Sequence, residues 1–127
     1  MEPYQADQTP STPLIQLDPS TGEFRIMGKS IPENSVVFYK PVFEWMDNYC
    51  KAPAAKTSMH IQLDYFNTSS SKLIADLFKK IESISKSGKG EAVINWEYDE
   101  NDEDMQEAGE DYKLIIKIPF NLVAVQK

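Results

Sequence analysis

The stretch LDYFNTSSSKLI, residues 63–74, joins two different hydrophobic patterns. Up to Phe66, apolar and polar residues alternate as they do in a half-buried strand. From Leu73 onward, apolar residues recur at the spacing of an amphipathic helix. A short polar turn separates the two patterns. We therefore predict a strand that leads through a tight turn into a helix.

The turn is unusually rich in hydroxyl groups, because Thr68–Ser71 follow Asn67 at the point where the helix begins. A helix start presents unpaired N–H groups and partial positive charge, and can hold an anion or a phosphate. The helix's first turn contains no acidic residue, and a cap needs only one Asn, Ser or Thr. Two interpretations stay open here: a functional site, or a well-capped helix.

The same two patterns extend along the chain on both sides of this turn. In the strand Thr57–Phe66, every second residue from Met59 to Tyr65 is predicted to share one face. A helix is predicted over Ser70–Lys86 and another strand over Glu91–Tyr98. Downstream, we predict a short helix within the acidic run Asp99–Asp111 and a strand over Lys113–Val125.

Upstream, two short strands surround the turn Asp18–Gly22, which predicts a β-hairpin. Ser30–Glu33 matches a capping box in which Ser30 caps the next helix. The next apolar run covers Val36–Cys50 and contains Pro41. Either a short turn ends near Tyr39 and a second helix begins around Pro41, or one helix bends there, and we favour one bent helix.

Residues 1–11 have no periodic pattern and predict a flexible leader, followed by one domain over residues 12–127. The order of the elements predicts an α/β fold. We expect a mixed sheet of about five strands, with the helices packed mainly on one face.

Charge and composition narrow the function. The chain has 20 acidic and 13 basic residues, a net charge of −7. A protein that binds nucleic acid needs clustered Lys and Arg, so nucleic-acid binding is not expected. The chain has no apolar segment of membrane-spanning length and a single cysteine, Cys50. These features predict a cytoplasmic protein that does not bind membranes.

Other sequence motifs give little support for a metal or catalytic site. The run at 99–111 places acidic or amide residues at calcium-loop positions, but Asp104 stands where the loop needs glycine. His60, the only histidine, has no nucleophile motif paired with it. No cofactor motif is present, and no cofactor is expected. One alternative stays open: a small metal- or anion-binding domain that uses residues 99–111 or the hydroxyl-rich helix start.

Several segments of the chain together match a known family, from about Thr12 to the C-terminal strand. They are Ser11–Pro13 with Asp18–Gly22, Gly28–Ser35, Tyr65–Lys72, Trp96–Tyr98 and Gly109–Tyr112. In combination these segments resemble the SiaC family of bacterial regulatory phosphoproteins. The resemblance implies a single STAS-like domain, similar to the anti-sigma-factor antagonists.

The resemblance also implies a function. Family members are not enzymes but switch proteins, phosphorylated by a Ser/Thr kinase and dephosphorylated by a PP2C-type phosphatase. The unphosphorylated form binds an effector, in one system a diguanylate cyclase. By position, the phosphorylated residue here is Thr68. We expect partners to contact the surface around it, formed by Asn67, Ser69, Ser70, Ser71 and Lys72.

Overall fold

The computed structural model describes residues 1–126, which form six strands and three helices. The strands are β1 (Tyr4–Ala6), β2 (Leu14–Leu17), β3 (Glu23–Ser30), β4 (Lys56–Phe66), β5 (Glu91–Asp99) and β6 (Phe120–Val125). The helices are α1 (Ser35–Tyr49), α2 (Thr68–Lys86) and α3 (Glu103–Ile115).

The strands form one mixed sheet whose spatial order is their order in the chain. β1, β2 and β3 pair antiparallel, and β3 to β6 pair parallel. Each parallel step crosses over through one helix in the same direction, and right-handed crossovers of this kind put all the helices on one face. The predicted α/β class is confirmed, with a sixth strand in addition.

Burial on the sheet agrees with this arrangement. Ile26, Ile61 and Trp96 lie side by side on β3, β4 and β5 and are buried under the helices. On the opposite face, the half-buried His60 lies in register with Arg25 and Asn95. His60 Nε2 is 3.0 Å from Glu23 Oε2, so the histidine belongs to a polar cluster on the open face.

Trp96 of β5 is the centre of the core. It is 1% exposed, and its indole N–H donates to the carbonyl of Met105 at 2.9 Å. This bond and the ring packing hold α3 on the sheet. Four aromatic rings surround it with centroids within 6.5 Å: Phe66, Phe78, Tyr112 and Phe120.

The first eleven residues contain regular structure that their sequence does not indicate. Tyr4–Ala6 pairs with Leu17–Ile15 at the edge of the sheet. The indole N–H of Trp45 donates to the carbonyl of Glu2 at 2.8 Å. Strand β1 therefore lies within the segment predicted as a flexible leader. An edge strand this short is determined by the strand beside it, and not by its own pattern.

The predicted capping box is also wrong. The N-cap of α1 is Asn34, whose side chain accepts a hydrogen bond from the Val37 N–H at 3.1 Å. Ser30 is instead the last residue of β3, where it pairs with Phe66. The helix runs through Pro41 as a single element, as predicted, although the pattern did not reveal where it begins.

The predicted alternation in β4 fails after Leu63. Gly28 pairs with Leu63 and Lys29 with Tyr65, so the strand contains a bulge at Asp64. A bulge inserts one residue and so exchanges the faces of those that follow. Tyr65 is consequently 57% exposed, whereas Phe66 turns toward the core and packs edge-on against Trp96.

The C-terminal third differs from the predicted strand over residues 113–125. Helix α3 continues to Ile115, and β6 begins only at Phe120. The buried residues of α3 are Met105, Gly109 and Tyr112, a helical spacing of four and three that faces the sheet. Leu114 and Ile115 lie on the outer side, 76% and 46% exposed. Contact with Trp96 and Phe78 therefore extends the helix beyond the expected segment.

Candidate functional site

Helix α2 begins immediately after β4, and Asn67 is its N-cap. The Asn67 side chain accepts a hydrogen bond from the Ser70 N–H at 2.9 Å. The backbone N–H of Asn67 donates to the carbonyl of Ser30 at 3.0 Å. These two bonds fix the start of α2 against the end of β3. Thr68 is consequently the first helical residue, two positions earlier than predicted.

The four hydroxyl residues have different environments. Ser70 is fully buried, and its Oγ accepts from the Oγ of Ser30 at 2.9 Å. Ser30 is in turn bonded to the Tyr39 hydroxyl at 2.6 Å. Burial raises the pKa of Tyr39 to about 12, although the bond to Ser30 opposes this effect, so the phenol stays neutral. Ser70 therefore belongs to a buried network and offers no surface to a partner.

Ser69 connects the starts of two helices. It is exposed, and its Oγ lies 2.7 Å from the Oγ of Ser35 and 3.2 Å from Asn67 Oδ1. Ser35 is the first residue of α1. The next two residues, Val36 and Val37, are 65% and 64% exposed. The Ser35–Ser69 bond therefore places an exposed apolar surface beside the hydroxyl-rich turn.

Ser71 connects α2 to α3. The Tyr112 hydroxyl donates to the Ser71 carbonyl at 2.8 Å and lies 3.3 Å from Ser71 Oγ. Burial raises the pKa of Tyr112, although the bond to Ser71 opposes the shift, and the phenol stays a neutral donor. The acidic helix is thus in contact with the candidate site.

Thr68 differs from the three serines. Its side chain is exposed and makes no hydrogen bond anywhere in residues 1–126. An exposed, unbonded hydroxyl can be approached and modified without loss of an internal contact. Among the four neighbouring hydroxyls, that of Thr68 is the most accessible to modification.

A groove of about 580 Å³ lies between the first turns of α2 and the last turns of α3. Its walls are largely apolar, with one basic and one acidic side chain. The lining residues are Phe66, Thr68, Ser71, Lys72, Ala75, Ala108, Asp111, Tyr112 and Ile115. A neighbouring groove of about 220 Å³ shares Phe66 and Ala108 and contains Asp64, Asp102 and Asp104.

Several residues of this surface could not be identified from the sequence. Val36, Val37 and Ile115 lie within predicted elements, and no local pattern marks them as exposed. Tyr65 is predicted to share a face of β4 with Leu63, which is buried. Asn34 as the cap would have placed the two valines on a first helical turn, but the capping-box match at Ser30 obscured it.

The acidic run does not form a calcium loop. Asp102 caps α3 by accepting from the Met105 N–H at 3.0 Å, and Glu103 and Asp104 lie in the first turn. Acidic side chains are favourable there because they face the positive end of the helix dipole. In residues 1–126, no group of three or more His, Cys, Asp and Glu side chains is placed to hold a metal.

The remaining sequence candidates lie away from the groove. Cys50 is half-buried at the end of α1, where burial raises the pKa of its thiol. His60 is on the open face of the sheet. Over the described residues, no helix combines the length and apolar character needed to cross a membrane.

Replacing Asn67 with alanine is expected to lower the free energy of unfolding by about 1 kcal/mol. The substitution removes the acceptor of the Ser70 N–H and one bond to Ser69. Urea denaturation followed by circular dichroism measures the change. Asn67→Asp keeps the acceptor and is expected to stay near wild type, so equal losses in both variants would contradict the capping role.

Comparison with known proteins identifies the class. Residues 6–125 match the profile of a family of regulatory phosphoproteins, over nearly the whole domain. The family is SiaC, and the chain belongs to it. An uncharacterized protein of Pseudomonas aeruginosa strain UCBPP-PA14 is 30% identical over 116 residues, which cover 91% of each chain.

Solved structures give the same result. The crystal structure of apo-SiaC from Pseudomonas aeruginosa superposes with a TM-score of 0.89 at 28% identity, over 98% of this chain and 100% of the other. SiaC in complex with the diguanylate cyclase SiaD, which it activates, also gives a TM-score of 0.89, at 29% identity over 96% and 99% of the two chains.

Proposed function

We propose that this chain is a non-enzymatic cytoplasmic switch protein, reversibly phosphorylated on Thr68. A Ser/Thr kinase adds the phosphate and a PP2C-type phosphatase removes it. The unphosphorylated form binds and regulates an effector such as a diguanylate cyclase. The observation that carries the proposal is the exposed, unbonded Thr68 hydroxyl at a helix start, beside an apolar groove.

The choice of Thr68 over its neighbours follows from accessibility. A kinase must bring the hydroxyl to the γ-phosphate of ATP, and a buried hydroxyl cannot reach it. Ser70 is fully buried. The Oγ atoms of Ser69 and Ser71 already bond to Ser35 and Tyr112. We therefore assign Ser69–Ser71 to shaping the turn, with Ser70 acting from inside the network.

The fold can accept a phosphate at this position. A phosphate adds about −1.5 to −2 charge at pH 7. The start of α2 has free N–H groups, positive dipole character and no acidic side chain of its own in the first turn. Phosphorylation is therefore expected to leave the domain folded and to change its surface.

The surface changes where partners would bind. Exposed apolar side chains lie on both sides of Thr68, at Val36 and Val37 of α1 and at Ile115 of α3. A partner that covers them must remove water from Thr68 as well. Removing water from a dianion costs far more than removing it from a hydroxyl, so phosphorylation opposes binding. The SiaC–SiaD complex supports a cyclase as the effector class.

Phosphate is expected on Thr68 when the chain is isolated from the bacterium that produces it. Intact-mass measurement should show one added phosphate, and peptide mapping should place it on Thr68. Thr68→Ala should remove it completely. Because the Thr68 side chain is exposed and unbonded, stability should change by less than about 0.5 kcal/mol.

Ser69→Ala serves as the control and should retain the phosphate. Phosphate mapped mainly to Ser69 or Ser70 would contradict the assignment of the site.

The direction of the switch can be tested by affinity capture with the phosphorylated and the unphosphorylated chain as baits. A diguanylate cyclase should be enriched on the unphosphorylated bait. Equal enrichment on both baits would contradict the proposed direction of the switch.

A further inference from the structure

We infer that phosphothreonine at position 68 is held at the mouth of the α2–α3 groove by Lys72 and is opposed there by Asp111. The inference rests on the proposed function, because it concerns the phosphorylated form of the same site. It assigns to Lys72 the role of positioning the phosphate over the apolar groove.

The geometry of α2 places the two groups together. Thr68 and Lys72 are four residues apart, so their side chains are neighbours on one helix face. Helical side chains lean toward the N-terminus, which directs the long Lys72 side chain back toward the turn that contains Thr68. An anion placed four residues before a lysine is the favourable orientation for a pair on a helix. Both residues line the groove.

Apart from Lys72, the charged residues that line this groove and its neighbour are acidic in the described part of the chain. Asp111 of α3 lines it opposite α2, and the neighbouring groove contains Asp64, Asp102 and Asp104. Within residues 1–126, Lys72 is the one basic residue that lines either groove. A phosphate attached to Thr68 is therefore attracted to the α2 wall and repelled from α3.

This position explains how a single modification can block a large surface. Held by Lys72, the phosphate lies at the mouth of the groove formed by Phe66, Ala75 and Ile115. Those apolar walls are what a partner would have to cover. Without Lys72, the phosphate can turn out into water and leave more of the groove available.

The second pKa of the phosphate, ordinarily about 6, measures its surroundings directly. The 127-residue chain can be produced with phosphothreonine incorporated at position 68 during translation, so that no kinase is needed. The phosphate pKa is then measured by following the ³¹P NMR signal as a function of pH. Lys72→Met should raise this pKa by about 0.3 unit or more, because the dianion loses its cation. Asp111→Asn should lower it by a similar amount. Both side chains are exposed, so both variants should fold.

Lys79→Met is the matched control, since Lys79 is exposed on α2 about three turns beyond Thr68. It removes the same charge away from the site and should leave the phosphate pKa unchanged. Equal shifts in Lys72→Met and Lys79→Met, or no shift in Asp111→Asn, would overturn the inference. That failure would leave the kinase site untouched, whereas phosphate mapped to another residue in cells would overturn the proposed function alone.

Discussion

Replacing Gly109 with alanine is expected to lower the free energy of unfolding by about 2–3 kcal/mol. Gly109 lies where α3 crosses Trp96. A Cβ atom there would lie 2.5 Å from Cδ1 of Trp96 and 2.7 Å from Cδ2 of Leu122, well inside van der Waals contact. Helix propensity alone predicts the opposite, a gain of about 1 kcal/mol. The sign of the change therefore separates packing from propensity.

Urea unfolding followed by Trp fluorescence measures the effect. Gly88→Ala is the contrasting variant, because Gly88 has φ +75° and no atom within 4 Å of an added Cβ. Its expected cost of about 1 kcal/mol is purely conformational. A Gly109→Ala variant as stable as wild type would contradict the close contact between α3 and the sheet.

The Gly109→Ala substitution is also expected to affect the candidate site. Ala108, Asp111 and Tyr112, which line the groove, are within three residues of Gly109. If the alanine pushes α3 away from Trp96, the Tyr112–Ser71 bond should weaken as well. Gly109 thus sets the distance between the two walls of the candidate site.

Glu82→Ala should lower the free energy of unfolding by about 2 kcal/mol at neutral pH. Glu82 is 4% exposed, and its carboxylate accepts from the backbone N–H of Lys117. Its other oxygen lies 3.0 Å from Lys86 Nζ. The carboxylate therefore attaches α2 to the connection between α3 and β6. Alanine removes it and leaves the Lys117 N–H without its acceptor.

This contribution should depend on pH. Burial by itself raises the pKa of Glu82, but the bonds from Lys117 and Lys86 outweigh it and hold the pKa below the ordinary 4.5. A carboxylate with a lowered folded-state pKa stabilises the fold above its unfolded-state value and loses this contribution as pH falls through the folded value. The difference between wild type and Glu82→Ala should therefore be complete above about pH 5 and shrink in more acidic solution.

Glu107→Ala is the matched control, with an exposed Glu in a helix. Its unfolding free energy should stay within about 0.5 kcal/mol of wild type. A Glu82→Ala deficit that is constant from pH 7 to pH 3 would contradict the charged role of Glu82.

The stretch 63–74 shows how far sequence reasoning extends. The change from alternating to helical spacing predicted β4, the turn and α2, and the structure confirms all three. Both patterns follow from burying one face against a core, which residue order alone reveals. The resemblance to the SiaC family is confirmed by the match over residues 6–125. It led to the prediction of a regulatory function, which the periodicity of the sequence does not indicate. The likeness to STAS domains stays a prediction.

Predictions from the sequence were wrong where a feature depends on contacts between residues that are far apart in the chain. The bulge at Asp64 turns Tyr65 outward because β3 and β4 pair with shifted register. Helix α3 continues to Ile115 because Tyr112 packs on Phe78 and Trp96. Strand β1 exists because β2 offers it an edge.

By itself, the sequence determined that a helix starts within the run of hydroxyl residues that follows Asn67, because capping and periodicity are local properties. Only the tertiary structure decided which hydroxyl is available. Ser69, Ser70 and Ser71 are bonded by Ser35, Ser30 and Tyr112, which are 34 to 41 positions away in the chain. Thr68 is left exposed because no distant residue reaches it in the described chain. Folding brings these distant groups together, so no local pattern could have separated the four.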